Sequence, residues 1–353
     1  MMKTLTVLLL VFFGLSCSFA QEGRKVINID NNWNFYKAEE TGSAKKINLP
    51  HTWNAFDVMD DEPGYYRGIG WYTKTLSLKP EWKAKQLFLH FEGANQETTV
   101  YLNDKKIANH IGGYTAFTVP LEGLKFNGTD KIAVKVDNSH NENIAPLTAD
   151  FTFFGGIYRS VSLIVVENTH FDGQQYATSG VYVRAEKVSK AVAEVLVNGN
   201  FINHAKLKKQ VALVSTLSDA SGKRIKEVKW SVTAEPGKLI SFQLPALLVS
   251  SPRLWSPENP YLYQAVTRLI DGKTGKTIDQ VKTAVGLRFF SFDANKGFFL
   301  NGSAYKLIGA SRHQDFAGMG NAVPNSLQVK DVALLKDMGG NFLRVAHYPQ
   351  SQA

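Results

Sequence analysis

The sequence predicts a multidomain, mainly β protein: two antiparallel β-sandwiches in tandem, then the incomplete start of a (β/α)8 barrel. Three patterns carry that expectation. From about Lys25 to Glu167, short segments alternate polar and apolar residues between turn clusters, the period of a strand with one buried face. The same pattern returns from about Gly180 to Leu287, near the length of an immunoglobulin-like module. From about Phe292 the order becomes strand, loop, helix, strand, which opens a parallel α/β fold. At 353 residues the chain is long enough for two or three domains, and 44% hydrophobic with 20% charged residues is ordinary for a soluble globular protein.

Taken in order, Met1-Met2-Lys3 and the apolar run from Leu5 to Leu15 predict a secretory signal over residues 1–20. The run is too short to span a bilayer, and Ser18-Phe19-Ala20 before Gln21 fits the small-x-small cleavage rule. The bland alternative is a buried N-terminal helix. The one cysteine, Cys17, falls inside this signal, so cleavage leaves no disulfide and no cysteine metal site. A lipoprotein reading keeps Cys17 as the lipidated first residue, against a poor match at Gly14-Leu15-Ser16. No later stretch is long and apolar enough for a transmembrane helix, so a secreted or periplasmic protein is expected.

In the first β region, which we assign to residues 21–170, Thr73 to Leu78, Thr99 to Leu102, Lys131 to Val136 and Ser160 to Val165 each alternate with period two. Turns fall at Asn103-Asp104, Gly112-Gly113, Asn127-Gly128 and Gly155-Gly156. In the second, assigned to 171–288, Val195 to Val197, Val211 to Val214 and Leu262 to Ile270 are the clearest strands. Its Pro-rich Ser251 to Pro257 carries Trp255 and reads as an ordered edge. Trp71 and Trp255 are expected to be packing residues.

The last region, 289–353, begins with Phe298 to Gly302, a strand running into an Asn-Gly hairpin turn. Lys306 to Ala310 is expected as a buried strand that empties into Ser311 to Asp315. A helix is expected from about Ser326 to Met338, with Val329, Val332 and Leu335 at helical spacing and Gly339-Gly340 as its stop. Asn341 to Pro349 is expected as the second strand. A (β/α)8 barrel takes about 250 residues and eight strand–helix units. The sequence is therefore expected to be the front of a longer protein or a truncated product of one.

The net charge of +9 raises the question of an anionic partner. Much of it comes from lysines between about Lys187 and Lys229, interleaved with apolar residues as on a solvated strand face. No nucleic-acid motif accompanies them, so nucleic acid is excluded as a partner. A Gly-rich phosphate loop, a metal-spaced His/Cys cluster and a serine nucleophile elbow are equally lacking.

Several stretches together resemble glycoside hydrolase family 2. Pro63 to Tyr72, Phe91 to Ala94, Gly112 to Tyr114 and Asp150 through Arg159 are similar to its jelly-roll-like, sugar-binding N-terminal sandwich. Leu254 to Tyr263 is similar to the end of its immunoglobulin-like domain. Gly297 to Gly302, Arg312-His313-Gln314-Asp315 and Arg344 to Pro349 are similar to the entry into its barrel. The Arg-His-Gln-Asp loop most resembles secreted bacterial β-galactosidases of the family.

The resemblance implies a retaining exo-glycosidase acting on an oligosaccharide or glycoside. Such an enzyme needs two carboxyl groups about 5–5.5 Å apart, one nucleophile and one acid/base. In the family both are glutamates on later barrel strands, so none is assigned here and both are expected beyond Ala353. The resemblance places four residues on the rim of the sugar pocket: Asp150, His313, Arg344 and His347. Asp150 would accept from sugar hydroxyls, the histidines would bond hydroxyls or steady a carboxylate, and Arg344 would orient the nucleophile. The structural alternative is a histidine merely satisfied at a strand end, or an Arg344 that only steadies the fold. Phe151, Phe153 and Phe154 suggest an aromatic platform, with core filling expected for at least two of them. No cofactor is evident; the family's galactosidases often use Mg2+, with its ligands expected downstream. The rival readings are a non-catalytic carbohydrate-binding sandwich protein, or a β-glucuronidase or β-mannosidase of the same family.

Overall fold

The computed structural model describes residues 23–39 and 44–353. The expected signal over 1–20, with Cys17, lies outside the described residues. Two β-sandwiches and a short parallel α/β segment follow one another along the chain.

The first sandwich packs a four-stranded sheet against a six-stranded one, all antiparallel. In spatial order the smaller sheet is Lys25–Asn28, Val161–Val166, Gln86–Phe91 and Phe117–Pro120. The larger runs Lys45–Ile47, Trp33–Lys37, Ile69–Thr75, Lys131–Asp137, Glu97–Leu102 and Lys105–Ile111. Alternation sets the faces: along Lys131–Asp137 the residues Ile132, Val134 and Val136 are wholly buried while their neighbours stay wet. With Trp33 and Tyr72 of the same sheet they share one core with Leu89 and Phe91 of the facing sheet, and none of these is exposed at all. Asn103 and Asp104 both take positive φ (50° and 67°), the geometry a two-residue turn between right-twisted strands requires.

The second sandwich faces a five-stranded sheet, centred on the 12-residue strand Val192–Asn203, with a four-stranded one. The latter runs Arg224–Ala234, Lys209–Ser218, Tyr263–Asp271 and Thr277–Val285. Arg224–Ala234 is an edge strand, and its Lys226 and Lys229 are exposed. Charge on an open edge discourages pairing with other chains, so part of the basic excess is edge protection.

A buried ion pair joins the sandwiches. Arg24 donates through Nη2 to Asp279 Oδ2 at 3.0 Å and to the Phe171 carbonyl at 2.9 Å. The same carboxylate accepts the Phe171 amide at 2.9 Å, and Asp279 is fully buried.

The third segment holds the Asn301-Gly302 turn as expected, with φ of 52° and 82° between Gly297–Leu300 and Ser303–Ala304. The helix spans Asn325–Asp337, one residue earlier than expected at each end. The strands Gly309–Arg312 and Phe342–Val345 pair in parallel, Ser311 opposite Arg344. Two expectations are corrected here. The first strand is Gly309–Arg312, not Lys306–Ala310, because its start is set by pairing with Phe342 and not by apolar content. Nor is the run buried: Leu307 is 40% and Ile308 52% exposed, since nothing among the described residues covers that side. The helix is likewise bare along Val329, Val332 and Leu334.

Burial governs two histidines. His51 shares a 2.8 Å hydrogen bond with the Tyr72 hydroxyl, and burial pulls its imidazole down to about 4. His170 donates from Nδ1 to the Glu167 carbonyl at 2.8 Å, and burial, only partly opposed by Asp279, brings it to about 4 as well. An unfolded histidine titrates near 6.5. Between those values the unfolded chain takes up protons that the folded chain refuses, so stability is full above about pH 6.5 and declines as the pH falls towards about 4. The melting temperature should hold from pH 8 to 7 and fall by on the order of 5 °C or more by pH 5. Calorimetry across that range checks this. His51→Gln and His170→Gln should each flatten the slope, and an unchanged slope in both would assign the acid sensitivity elsewhere.

Candidate functional site

The site is built on the connection that crosses from one sheet of the first sandwich to the other, residues 138–160. Its irregular backbone is satisfied by buried amides. The Phe153 carbonyl accepts from Asn54 Nδ2 at 3.1 Å and Asn138 Nδ2 at 2.9 Å, and the Phe154 carbonyl accepts from Asn95 Nδ2 at 2.8 Å. The Gly155 amide donates to Asn54 Oδ1 at 3.0 Å, and its carbonyl accepts from Thr52 Oγ1 at 2.6 Å. Asn54 and Asn138 are wholly buried and Asn95 is 1% exposed. Gly155 is required by space, since a Cβ there would lie 2.2 Å from the Trp53 ring. Gly156 is required by its φ of 128°.

Held this way, the loop sends Asp150 and Phe151 towards the ends of the two parallel strands. Asp150 Oδ1 lies 3.5 Å from His347 Nε2. The Phe151 ring is bracketed by His347 at 6.3 Å, His313 at 6.1 Å and Tyr348 at 5.1 Å between centroids. His313 and His347 stand edge to face at 5.2 Å. Arg344 Nη2 approaches His347 Nδ1 at 3.1 Å, and its Nη1 lies 3.4 Å from Ser311 Oγ. A guanidinium can only donate, so Nδ1 accepts and the ring's proton sits on Nε2, facing Asp150. Asp150, His313, Arg344 and His347, separated by up to 197 positions in sequence, therefore stand side by side.

The arrangement is suited to a polyhydroxylated ligand. Asp150, whose side chain is 76% exposed, offers acceptor oxygens to solvent, while His347 and Arg344 offer donors. Phe151 supplies an apolar face between them. Phe153 and Phe154 are 5% and 4% exposed, as expected for two of the three, but they lie outside the sandwich core. Phe153 sits under the Arg67 guanidinium at 4.5 Å, and Phe154 packs where Gly320 comes closest. Two members escaped sequence reasoning. Tyr348 stacks on Tyr114 at 4.3 Å, and burial raises both phenols, keeping them as hydroxyls. Their adjacency across 234 positions has no local sequence signal. Among the described residues no three His, Cys, Asp or Glu side chains gather to hold a metal ion.

Family profiles match the chain in three consecutive pieces: the sugar binding domain of glycosyl hydrolases family 2 at 16–167, a second family 2 profile at 177–288, and the family's TIM barrel domain at 294–353. A β-glucuronidase of Bacteroides fragilis is 41% identical over 349 residues, covering 98% of this chain and 49% of that protein. A β-galactosidase of Thermoanaerobacter pseudethanolicus is 30% identical, covering 93% of this chain and 44% of its own length. The crystal structure of a Bacteroides uniformis β-glucuronidase superposes with a TM-score of 0.90 at 38% identity, over 93% of this chain and 40% of that one. The chain spans about half the length of the curated relatives it matches.

Asn54 is the member of the amide clamp whose loss is most informative. Asn54→Ala strands the Gly155 amide and deprives the Phe153 carbonyl of one of its two donors. Leaving a buried backbone group unpaired costs about 1–3 kcal/mol, so denaturant unfolding should show a loss of that size. A neutral outcome would mean that water replaces the amide and the loop is not held as described.

Proposed function

Because the chain belongs to glycosyl hydrolase family 2, we propose that it forms one wall of the sugar pocket of a retaining exo-β-glycosidase. The observation that carries this is the convergence of Asp150, His313, Arg344 and His347 from three separate segments onto one rim beside the Phe151 ring. In this reading Asp150 accepts from sugar hydroxyls, and His347 donates through Nε2 to the same sugar or to Asp150 when the pocket is empty. The Phe151 ring lies against the C–H face. Arg344, braced by Ser311 and His347, orients the nucleophilic carboxylate and favours its ionised form. The two reacting glutamates are assigned to barrel strands after the second, about 5–5.5 Å apart as retention requires.

A terminal β-glucuronide is the substrate we favour, supported by the β-glucuronidases at 41% and 38% identity. A β-galactoside, expected from the Arg-His-Gln-Asp loop, is the second reading, supported by the relative at 30%. We propose export through the signal over 1–20 as the route by which the protein meets such glycosides.

Two experiments bear on this reading. Titration of the 353-residue chain with phenyl β-glucuronide and phenyl β-galactoside should show saturable binding of the glucuronide in preference. Asp150→Asn should weaken it by on the order of tenfold or more, as expected for losing a charge-assisted hydrogen bond. In a protein carrying a complete barrel, Arg344→Lys should lower kcat by about 10²-fold with little change in melting, the scale of a slight misplacement of reacting groups. A near-normal kcat would remove Arg344 from the pocket.

A further inference from the structure

Arg159 lies at the end of the loop that carries Asp150 and Phe151, and it is only 8% exposed. Its guanidinium donates to four neutral acceptors. Nη1 reaches the carbonyls of Glu92 at 3.3 Å and Tyr114 at 3.2 Å, both in the first sandwich. Nη2 reaches Gln314 Oε1 at 3.0 Å and the Pro349 carbonyl at 2.6 Å, both in the parallel segment. Gln314 follows His313 directly and is wholly buried; Pro349 lies two residues past His347. Tyr114, whose carbonyl is one of the four acceptors, stacks on Tyr348. One planar group thus ties together every segment that supplies the pocket rim.

We infer that Arg159 is a positioning residue of this site, fixing how far the Asp150 loop stands from the His313 and His347 loops. A buried cation must recover its lost hydration through directed hydrogen bonds, and a guanidinium's rigid fork permits this only when its acceptors keep their places. The constraint is therefore mutual: the acceptors hold the cation, and the cation holds the spacing of the acceptors. Cohesion alone does not explain it, because the seam has other contacts. Gly318 donates its amide to Met59 Sδ at 3.0 Å, and Gly320 closes onto the Phe154 ring. These join the segments through Gly318 and Gly320, whereas two of the four bonds of Arg159 end on Gln314, next to His313, and on Pro349, two residues past His347.

The inference rests on the proposed function for what the pocket binds, but not for its geometry, and the test separates the two. Imidazole proton–carbon spectra of the 353-residue chain report the surroundings of His313 and His347, including their mutual contact. Arg159→Lys keeps the charge and loses the fork. Below its melting temperature it should displace both histidine signals, weaken their contact and lower affinity for phenyl β-glucuronide by about tenfold. Gln314→Met, which removes only the link to the His313 loop, should displace the His313 signal more than that of His347. It decides the matter if the Arg159 variant does not fold. Wild-type signals and wild-type affinity in a folded Arg159→Lys chain, or an unmoved His313 in Gln314→Met, would overturn the inference. Failure of the wild-type chain to bind either phenyl glycoside would count against the proposed function, while the histidine signals would still decide the role of Arg159.

Discussion

The site depends on three buried side-chain amides. A crossing between two sheets lies mostly outside both ladders, so the carbonyls and amides that neighbouring backbone does not reach need side-chain partners away from water or they cost free energy. Asn54, Asn95 and Asn138 supply those partners at Phe153, Phe154 and Gly155. An asparagine is both donor and acceptor on a short, stiff stem, so Asn54 can serve an amide and a carbonyl of the same strand-like stretch at once. The consequence is a loop that is irregular in shape but fixed in place. Asp150 and Phe151 just before the clamped stretch and Arg159 just after it flank that fixed backbone.

The rim divides its chemistry between two structural sources. The sandwich loop provides an acceptor carboxylate and an aromatic face; the parallel strands provide Arg344 and the two histidines. A sugar presents hydroxyls on its edge and C–H bonds on its faces, so a pocket assembled from both sources can address both. Neither source has the full set alone. In the proposed reading the relative placement of the two sources shapes what the rim accepts; where they meet, Gln314, Ala346 and Tyr348 are strongly buried.

Much of this was legible in the sequence where chemistry is local. Asn103-Asp104 and Asn301-Gly302 announce their turns because few residues accept positive φ. Gly339-Gly340 stops the helix within a residue of the expected place. Motif similarity singled out Asp150 in a sandwich loop and His313, Arg344 and His347 at or just past strand ends, and the fold brings these four side by side. What failed was pairwise. The Lys306 to Ala310 run looked like a buried strand, yet pairing with Phe342 shifted the strand to Gly309, and among the described residues no neighbour buries Leu307 or Ile308. Arg159 was read as part of a family motif; its four acceptors, contributed by residues 92, 114, 314 and 349, have no signature in the residues around it.

Those acceptors also order events in time. Two of the partners of Arg159 lie 155 and 190 positions later in the chain. At typical rates of synthesis, roughly 5–20 residues per second, the last of them emerges on the order of 10–40 s after the arginine itself. Until then the first sandwich can close its core around Trp33 and Phe91, but one side of this cation has only water to answer it. The sandwich is thus a partner in waiting. The bonds from this cation to Gln314 and Pro349 can form only after that later stretch of chain has been made.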